Sequence, residues 1–403
     1  MGRQTLALRV EQDNEATALG HFDEALRELA DPRRRQGQRY PLRTIVVTAL
    51  MAMVCGCDDA EAMELWGEAN EEWLRGFLDL PHGPPTQDVF LHVLSALDPQ
   101  AFQRVYQRWA SLVSLRLGES EPHIAIDGKT SRRSADRANG QGPIHTVSAY
   151  LAGAGVVLAQ TQVKDKENEI LAIPEVLAVL DLRGATVTLD AMGCQTAIAE
   201  TIVRGGGAYI LPAKDNQPAL HQEIVETFAE ADDERRRSVD EVPRPELLEY
   251  EETEKGHGRI ESRRVRVTTN LAWIMSKERW LDLGYVVEVR RERTVLSSGK
   301  TSTEMAHYIG SGTPDTAERV ARLVRGHWSV ENGLHWVLDF AFREDEARHR
   351  AANAAKNMTT LRHFALGLLR QDPTRRVGVA NSRRRAAFDR SYLIRIIRGA
   401  GQA

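Results

Sequence analysis

Cysteine is scarce in this chain. Its 403 residues contain three, Cys55, Cys57 and Cys194, an odd number without zinc-finger spacing, which gives no disulfide framework and suits a reducing cytoplasm. Long apolar runs are missing too. The most apolar window, Thr44 to Cys57, is about 14 residues, short of the roughly 18 that a bilayer-spanning helix needs, so it reads as a buried helix. The opening stretch MGRQTLALRVEQDNEA is polar and has no apolar h-region, so secretion is not expected. Internal repeats, heptad arrays and low-complexity tracts are absent from the sequence.

What remains is an ordinary globular composition, 42% apolar and 27% charged, long enough for two or three domains with a sizeable core. The net charge of −4 is uninformative as a total, but its distribution is uneven. From Arg370 to Ala403 nine arginines face Asp372 and Asp389, a net +7 that leaves −11 on the remainder. A basic tail on an acidic body suggests a polyanion partner. A solvated, arginine-rich helix face gives the same pattern.

Residues 1–118 read as helical. Phe22, Leu26 and Leu29 form one stripe over His21 to Ala30. Pro41 opens a helix through Met53, Glu61 to Leu78 carries Leu65, Trp66, Trp73, Leu74 and Phe77, and Pro99 opens a helix through Leu115. In HGPPTQDVFLHVLSAL, Thr86 can cap a helix that reads equally as a DNA-entering recognition helix or as core. The run DPRRRQGQRYP, with Arg33, Arg34, Arg35 and Arg39, suits phosphates or a solvated loop.

From His123 the pattern changes to short strands. HIAID, HTVSAYLA and GVVLAQTQV are followed by a helix over Glu169 to Leu180, the strand ATVTLD, a helix over Gln195 to Val203 and the strand AYILPAK. The order βββαβαβ is that of RNase H-like nucleases, and it fills residues 119–214. Residues 215–313 read as an inserted β-rich subdomain: a helix from Pro218 to Ala231, a charged loop around Asp232 to Pro245, then the strands RRVRVTT, YVVEVRRER and TEMAHYIGS. Residues 314–370 return to helix, and 371–403 form the basic tail.

The chain is organised around RGHWSVENGLHWVLDFAFRED, Arg325 to Asp345. Val324, Leu334, Val337, Leu338 and Phe342 recur at helical spacing, and His327, Glu331 and His335 fall every fourth residue, which stacks them on one face. Such residues are often merely solvated, so chemistry requires partners. Asp127 ends the first strand at an Asp-Gly turn, and Asp190 ends the fourth. Ligands of open α/β sheets gather outside the carboxyl ends of strands. Two strand-end aspartates and a helix glutamate can hold a pair of hard cations such as Mg²⁺ for phosphoryl transfer. A zinc site on His327 and His335 is the lesser alternative, since no cysteine lies nearby.

Seven motifs in order, together with LADPRRRQGQRYPL and PPTQDVF near the start, carry a family resemblance: AIDGKTSRRS, KENEI, TLDAMGCQ, AYILPAKDNQ, GHGRIESRR, Tyr308 with Ile309, and RGHWSVENGLHWVLDFAFRED. The chain resembles the bacterial insertion-sequence DDE transposases of the H-repeat-associated type. The resemblance implies an RNase H-like catalytic core with an inserted β-rich subdomain behind an all-helical N-terminal domain. It also implies Asp127, Asp190 and Glu331 as the catalytic, metal-holding triad, with two Mg²⁺ ions (Mn²⁺ as substitute), Asp127 bridging both. The expected function is cleavage at insertion-sequence ends and strand transfer into target DNA. The expected partners are double-stranded DNA and a second copy in a homodimeric synaptic complex, at the nucleoid. Alternatives are an RNase H-like nuclease without strand transfer, or a domesticated DNA-binding protein. Many related transposases place Tyr, Arg and Lys where this chain has Val324, His327 and Leu338, which withholds their hairpin and base-flipping chemistry.

Candidate DNA-binding residues follow from position. Lys129, Arg132 and Arg133 come directly after Asp127, and Lys214, Asn216 and Gln217 leave the fifth strand at the same edge. His257, Arg259 and Arg263 lie on the insertion, where the family resemblance implies a DNA-facing role. Arg325, His327, Trp328, His335 and Trp336 surround Glu331, the tryptophans reading as core or as base-stacking surfaces.

Overall fold

A computed structural model describes residues 22, 24–118, 121–135, 142–163, 169–232, 246–349 and 351–398. The charged loop expected around Asp232 to Pro245 falls outside these residues beyond Asp232. The chain forms two compact units. Met1–Glu119, Gly128–Asn168 and Glu331–Ala403 make a helical unit, while Ser120–Asp127 with Glu169–Val330 makes a sheet-rich one.

The helical unit holds α1 (Leu42–Val54), α2 (Ala60–Ala69), α3 (Glu71–Leu74), α4 (Gln87–Ala96) and α5 (Pro99–Leu117). Later in the chain come α10 (Trp336–Phe342), α11 (Ala354–Arg370), α12 (Val379–Phe388) and α13 (Arg390–Arg398). Nearly every side chain of α1 and α11 is buried, as expected of helices enclosed on all sides. Phe364 of α11 is the centre of this packing: its ring lies 4.4 Å from that of Phe22 and 4.5 Å from that of Trp109. Truncating such an aromatic costs about 3–5 kcal/mol. Gly367 allows the Trp109 approach, since an added Cβ would stand 2.7 Å from the indole.

Two helix boundaries differ from the sequence expectation. The helix expected over Glu61 to Leu78 stops at Asn70, whose side-chain amide caps the Trp66 carbonyl at 2.8 Å. Thr86 makes no side-chain cap on α4; the first free N–H, of Gln87, is met instead by Glu64 at 2.9 Å. Phe90, Val93 and Leu94 of α4 are core. The basic tail is two packed helices, and one of its cations, Arg383, is buried against Asp58 and the Met53 carbonyl.

Among the described residues, nine strands share one mixed sheet: β1 (His123–Ser131), β2 (Ile144–Leu151), β3 (Val156–Val163), β4 (Thr186–Thr188), β5 (Ala208–Ala213), β6 (Leu248–Gly256), β7 (Arg259–Thr268), β8 (Leu283–Val295) and β9 (Thr301–Ser311). Their order is β3-β2-β1-β4-β5-β9-β8-β7-β6. The first five give the 3-2-1-4-5 order of the RNase H-like fold, with β1, β4 and β5 parallel and β2 antiparallel to β3. The insertion is β-rich, and it continues the sheet through β9 on β5. The first of its strands, β6, does not stand out in the sequence. LEYEETEKG is an edge strand with most residues exposed, so it carries no apolar alternation.

In the sheet-rich unit, α6 (Glu169–Leu177) and α7 (Thr196–Arg204) frame β4, α8 (Pro218–Asp232) follows β5, and α9 (Ala317–Gly326) covers β6 and β7. Thr316 caps α9 through the Arg319 N–H. Ala317, Val320, Ala321 and Val324 pack on Val265, Val267, Val287 and Val289. The single helix expected to run from Pro314 and Asp315 to Glu331 is interrupted. After α9 the chain turns at His327 and Trp328, and Glu331–His335 form one π-helical turn before α10.

Candidate functional site

Strand β1 does not end at Asp127. No turn forms at Asp-Gly, and the strand runs on to Ser131. What ends there is its pairing with β4, whose last partners are Ala125 and Thr188. Asp127 and Asp190 each stand two residues beyond that rung, with carboxylate oxygens within 4.8 Å of each other where the parallel pairing has stopped. Both are half-buried. Glu169, the first residue of α6 and 3% exposed, joins them: one carboxylate oxygen from each of Asp127, Glu169 and Asp190 lies within 4.8 Å of the others.

The turn after Asp190 is held from several sides. The Asp190 carboxylate accepts the Gly193 N–H at 3.1 Å. Asn216 donates to the Ala191 carbonyl at 2.6 Å, and Gln217 to the Cys194 carbonyl at 3.0 Å. Asn216 and Gln217, expected to meet DNA, thus fasten the loop that carries Asp190. Lys214 is exposed beside them. Behind β4, the Thr188 hydroxyl bridges His123 at 2.9 Å and His327 at 3.1 Å. Burial, and then the charge of His327, push His123 down to about 4, so this imidazole is neutral at pH 7. His327 is thus held by the Thr188 hydroxyl.

In the helical unit, Glu331 is exposed and its carboxylate meets His335 Nδ1 at 3.1 Å. His335 is buried, and burial lowers its pKa despite the neighbouring carboxylate. It belongs to the protein interior, where it steadies Glu331. The π turn is pinned by Arg370, which donates to the Gly333 carbonyl and to the Tyr150 hydroxyl. Single π turns of this kind occur frequently at functional sites. Lys129 is tied to both oxygens of Asp339 at 2.7 Å with its side chain 11% exposed, so its charge is already matched. Arg132 and Arg133 are exposed, Arg132 with a loose 3.6 Å pairing to Asp345. Trp336 and Phe340 are 56% and 62% exposed and stack with centroids 4.7 Å apart and rings 9° from parallel. Trp336 is thus a surface ring and not core, as is Trp328, 54% exposed in the sheet-rich unit.

On the insertion, His257 and Gly258 form the two-residue turn between β6 and β7, both at positive φ. Arg263 and Arg325 share Glu252 and Glu254 of β6, and Arg263 and Arg259 also pair with Glu261. These three arginines are neutralised within the fold. Sequence reasoning passed over Glu169, Asp339 and Arg370. KENEI was the available signal for the first, and nothing local marks the other two.

The carboxylates fit a hard divalent cation. Oxygen-only donors within a few ångströms, one of them buried, suit Mg²⁺ or Mn²⁺ and offer neither the thiolates nor the imidazole set that zinc favours.

Residues 118–368 match the family model described as Transposase DDE domain, and residues 24–110 match the one described as DDE_Tnp_1-associated. The "H repeat-associated putative transposase YhhI" of Escherichia coli (strain K12) is 33% identical over 93% of this chain and 96% of its own length. An uncharacterized protein in the dhlA 3′ region of Xanthobacter autotrophicus is 38% identical over 71% of this chain and 93% of its own. A cryo-EM structure of the piggyBac transposase synaptic complex with hairpin DNA covers 96% of this chain and 83% of its own at 8% identity and a TM-score of 0.43, too loose a likeness to assign residues.

Proposed function

The chain belongs to the Transposase DDE domain family and is a DNA transposase, and from that premise we propose that it cuts DNA at insertion-sequence ends and joins them to target DNA by Mg²⁺-dependent phosphoryl transfer at Asp127, Asp190 and Glu331. The observation that carries this reading is the register of β1 and β4. It sets two carboxylates at the same edge of a parallel pair, with oxygens within 4.8 Å. Bound there, two divalent ions would supply an activated hydroxyl, from water or from a DNA 3′ end, and stabilise the leaving 3′ oxygen.

The chain's own residues prepare that site. Asp127, Asp190 and Glu331 would hold the ions. Gly193, Asn216 and Gln217 fix the Asp190 turn, and His335 orients the Glu331 carboxylate through its Nδ1. Ligand-orienting contacts of this kind typically matter by 10–100-fold. Arg132 and Arg133 offer exposed charge to phosphates. The stacked pair Trp336 and Phe340 offers a face to an unpaired base at a cut end. Joining requires two ends to be held together, so the working unit on DNA is a homodimer.

The test is the variant Asp190→Asn, assayed with end-sequence DNA in Mg²⁺. Loss of nicking with retained DNA binding is expected. Nicking at the wild-type rate would remove Asp190, and with it the triad, from the mechanism.

A further inference from the structure

The basic tail has no part in the chemistry at the acids, yet its fold sorts its charges. Helices α12 and α13 bury Val379, Ala386, Leu393, Ile396 and Ile397, while Arg384, Arg385, Arg390, Arg395 and Arg398 are all exposed. Over Val379–Arg398 the one acid is Asp389. We infer that the outer face of α12 and α13 is a DNA-contacting surface additional to the catalytic site, holding the phosphate backbone of a duplex without reading its sequence. This rests on the chain acting on DNA and is independent of which acids do the chemistry.

The physical case lies in what orients these cations. Arg183 and Arg263 are met by carboxylates, the first by both oxygens of Asp181 and the second by Glu252 and Glu261. On the outer face of α12 and α13 the groups that hold the guanidiniums are mostly neutral. Arg385 and Arg395 come from different helices to the same Tyr392 ring, 4.3 and 5.1 Å from its centre. Arg390 lies 5.3 Å from the centre of the Trp73 ring and donates to the Asn70 side-chain oxygen at 3.2 Å. Arg384 donates to the Asn381 side-chain oxygen at 3.1 Å. The acids within reach are loosely placed: Asp389 is 3.6 Å from Arg385, and Asp372, 3.9 Å from Arg395, is buried and already bonded by Thr374. Aromatic faces and amides fix a guanidinium and leave its charge in place. Cations gathered this way repel one another until a polyanion lies across them.

The same helices argue against an anionic bilayer as the partner. A membrane-surface helix buries its apolar face in lipid, and α13 spends that face on the protein interior. Phe388, 90% exposed at the end of α12, is the one large apolar side chain of the two helices left in solvent. A lone ring among arginines suits a DNA groove. Arg183, exposed and held by Asp181, provides the control for loss of one positive charge.

The test uses the full chain and a fluorescein-labelled DNA duplex of arbitrary sequence, without divalent metal so that cleavage does not intervene. Anisotropy titrations at several salt concentrations give the slope of log affinity against log salt. Arg385→Gln combined with Arg395→Gln is expected to flatten that slope by about 2. Arg385→Lys combined with Arg395→Lys, which keeps both charges, and Arg183→Gln are expected to match wild type. A wild-type slope in the glutamine pair overturns the inference, as does equal flattening by the lysine pair. A glutamine pair that keeps the slope but turns a dimer into a monomer in sedimentation velocity also overturns it, and assigns the face to a second copy of the chain. Asp190→Asn keeps the full slope whether or not it nicks DNA, so a failure of this surface and a failure of the triad are read separately. Should the glutamine pair fail to fold, Arg384→Gln combined with Arg398→Gln decides: a slope flattened by about 2 supports the inference, and an unchanged slope overturns it.

Discussion

Ala125 and Thr188 are the last paired residues of β1 and β4, and two positions beyond them Asp127 and Asp190 leave the same edge of the sheet. The parallel register is what brings together two acids 63 positions apart in the sequence. Backbone pairing thus determines where the chemistry sits.

The arginines expected to meet DNA should not contribute equally to its binding. Arg263 and Arg325 are held by Glu252 and Glu254, so removing either charge frees glutamates and leaves the salt dependence of binding nearly unchanged. Arg132→Ala and Arg133→Ala should each flatten the slope of log affinity against log salt by about 1. Fluorescence anisotropy with end-sequence DNA at several salt concentrations separates the two groups.

His335 is buried, with its Nδ1 on the Glu331 carboxylate. His335→Gln should raise the Mn²⁺ concentration needed for half-maximal cleavage by about 10–100-fold and leave DNA affinity as it is. A metal titration of cleavage beside a gel-shift assay checks both halves.

Acid should destabilise the fold through buried imidazoles. His363 is pushed down to about 3, first by burial and then by the charges of His335, Arg362 and Lys129. The unfolded chain takes up this proton near pH 6.5 while the folded chain does not, so the stabilisation is complete above that value and is lost as pH falls from 6.5 toward 3. His363→Gln should reduce the slope of stability against pH in that window by up to about 1.4 kcal/mol per unit. Urea unfolding at pH 4.5, 5.5 and 7 measures it.

Arg383 binds the C-terminal helices to the N-terminal ones. Its guanidinium pairs with Asp58, donates to the carbonyls of Met53 and Ala341, and lies 4.0 Å from the centre of the Phe342 ring. Arg383→Met leaves Asp58, whose pKa burial already raises, without its counter-charge. A loss of about 3–5 kcal/mol is expected, with part of it recovered by adding Asp58→Asn. Denaturant unfolding of the single and double variants gives both numbers.

Much of this was legible in the sequence, for reasons that can be named. Asp127 and Asp190 stood out because each follows a short apolar strand, and the βββαβαβ order fixed which strands neighbour each other. Glu331 stood out through its four-residue spacing to His335, which survives in the π turn. The partner of His327 was not legible, because no local signal marks the hydroxyl of Thr188, 139 positions away. Strand β6 escaped notice because an exposed edge strand needs no apolar alternation. The neutralised arginines escaped with it, since their partners come from that strand. Glu169 lacked the signature of a strand end, and its burial among acids is a property of the fold.

The central claim is that Asp127, Asp190 and Glu331 hold the same divalent ions. Anomalous scattering from crystals of the full protein grown with Mn²⁺ and end-sequence DNA measures this directly. The account predicts anomalous peaks coordinated by oxygens of all three residues. Mn²⁺ peaks elsewhere, or peaks bound by the aspartates with Glu331 turned away from them, would contradict it.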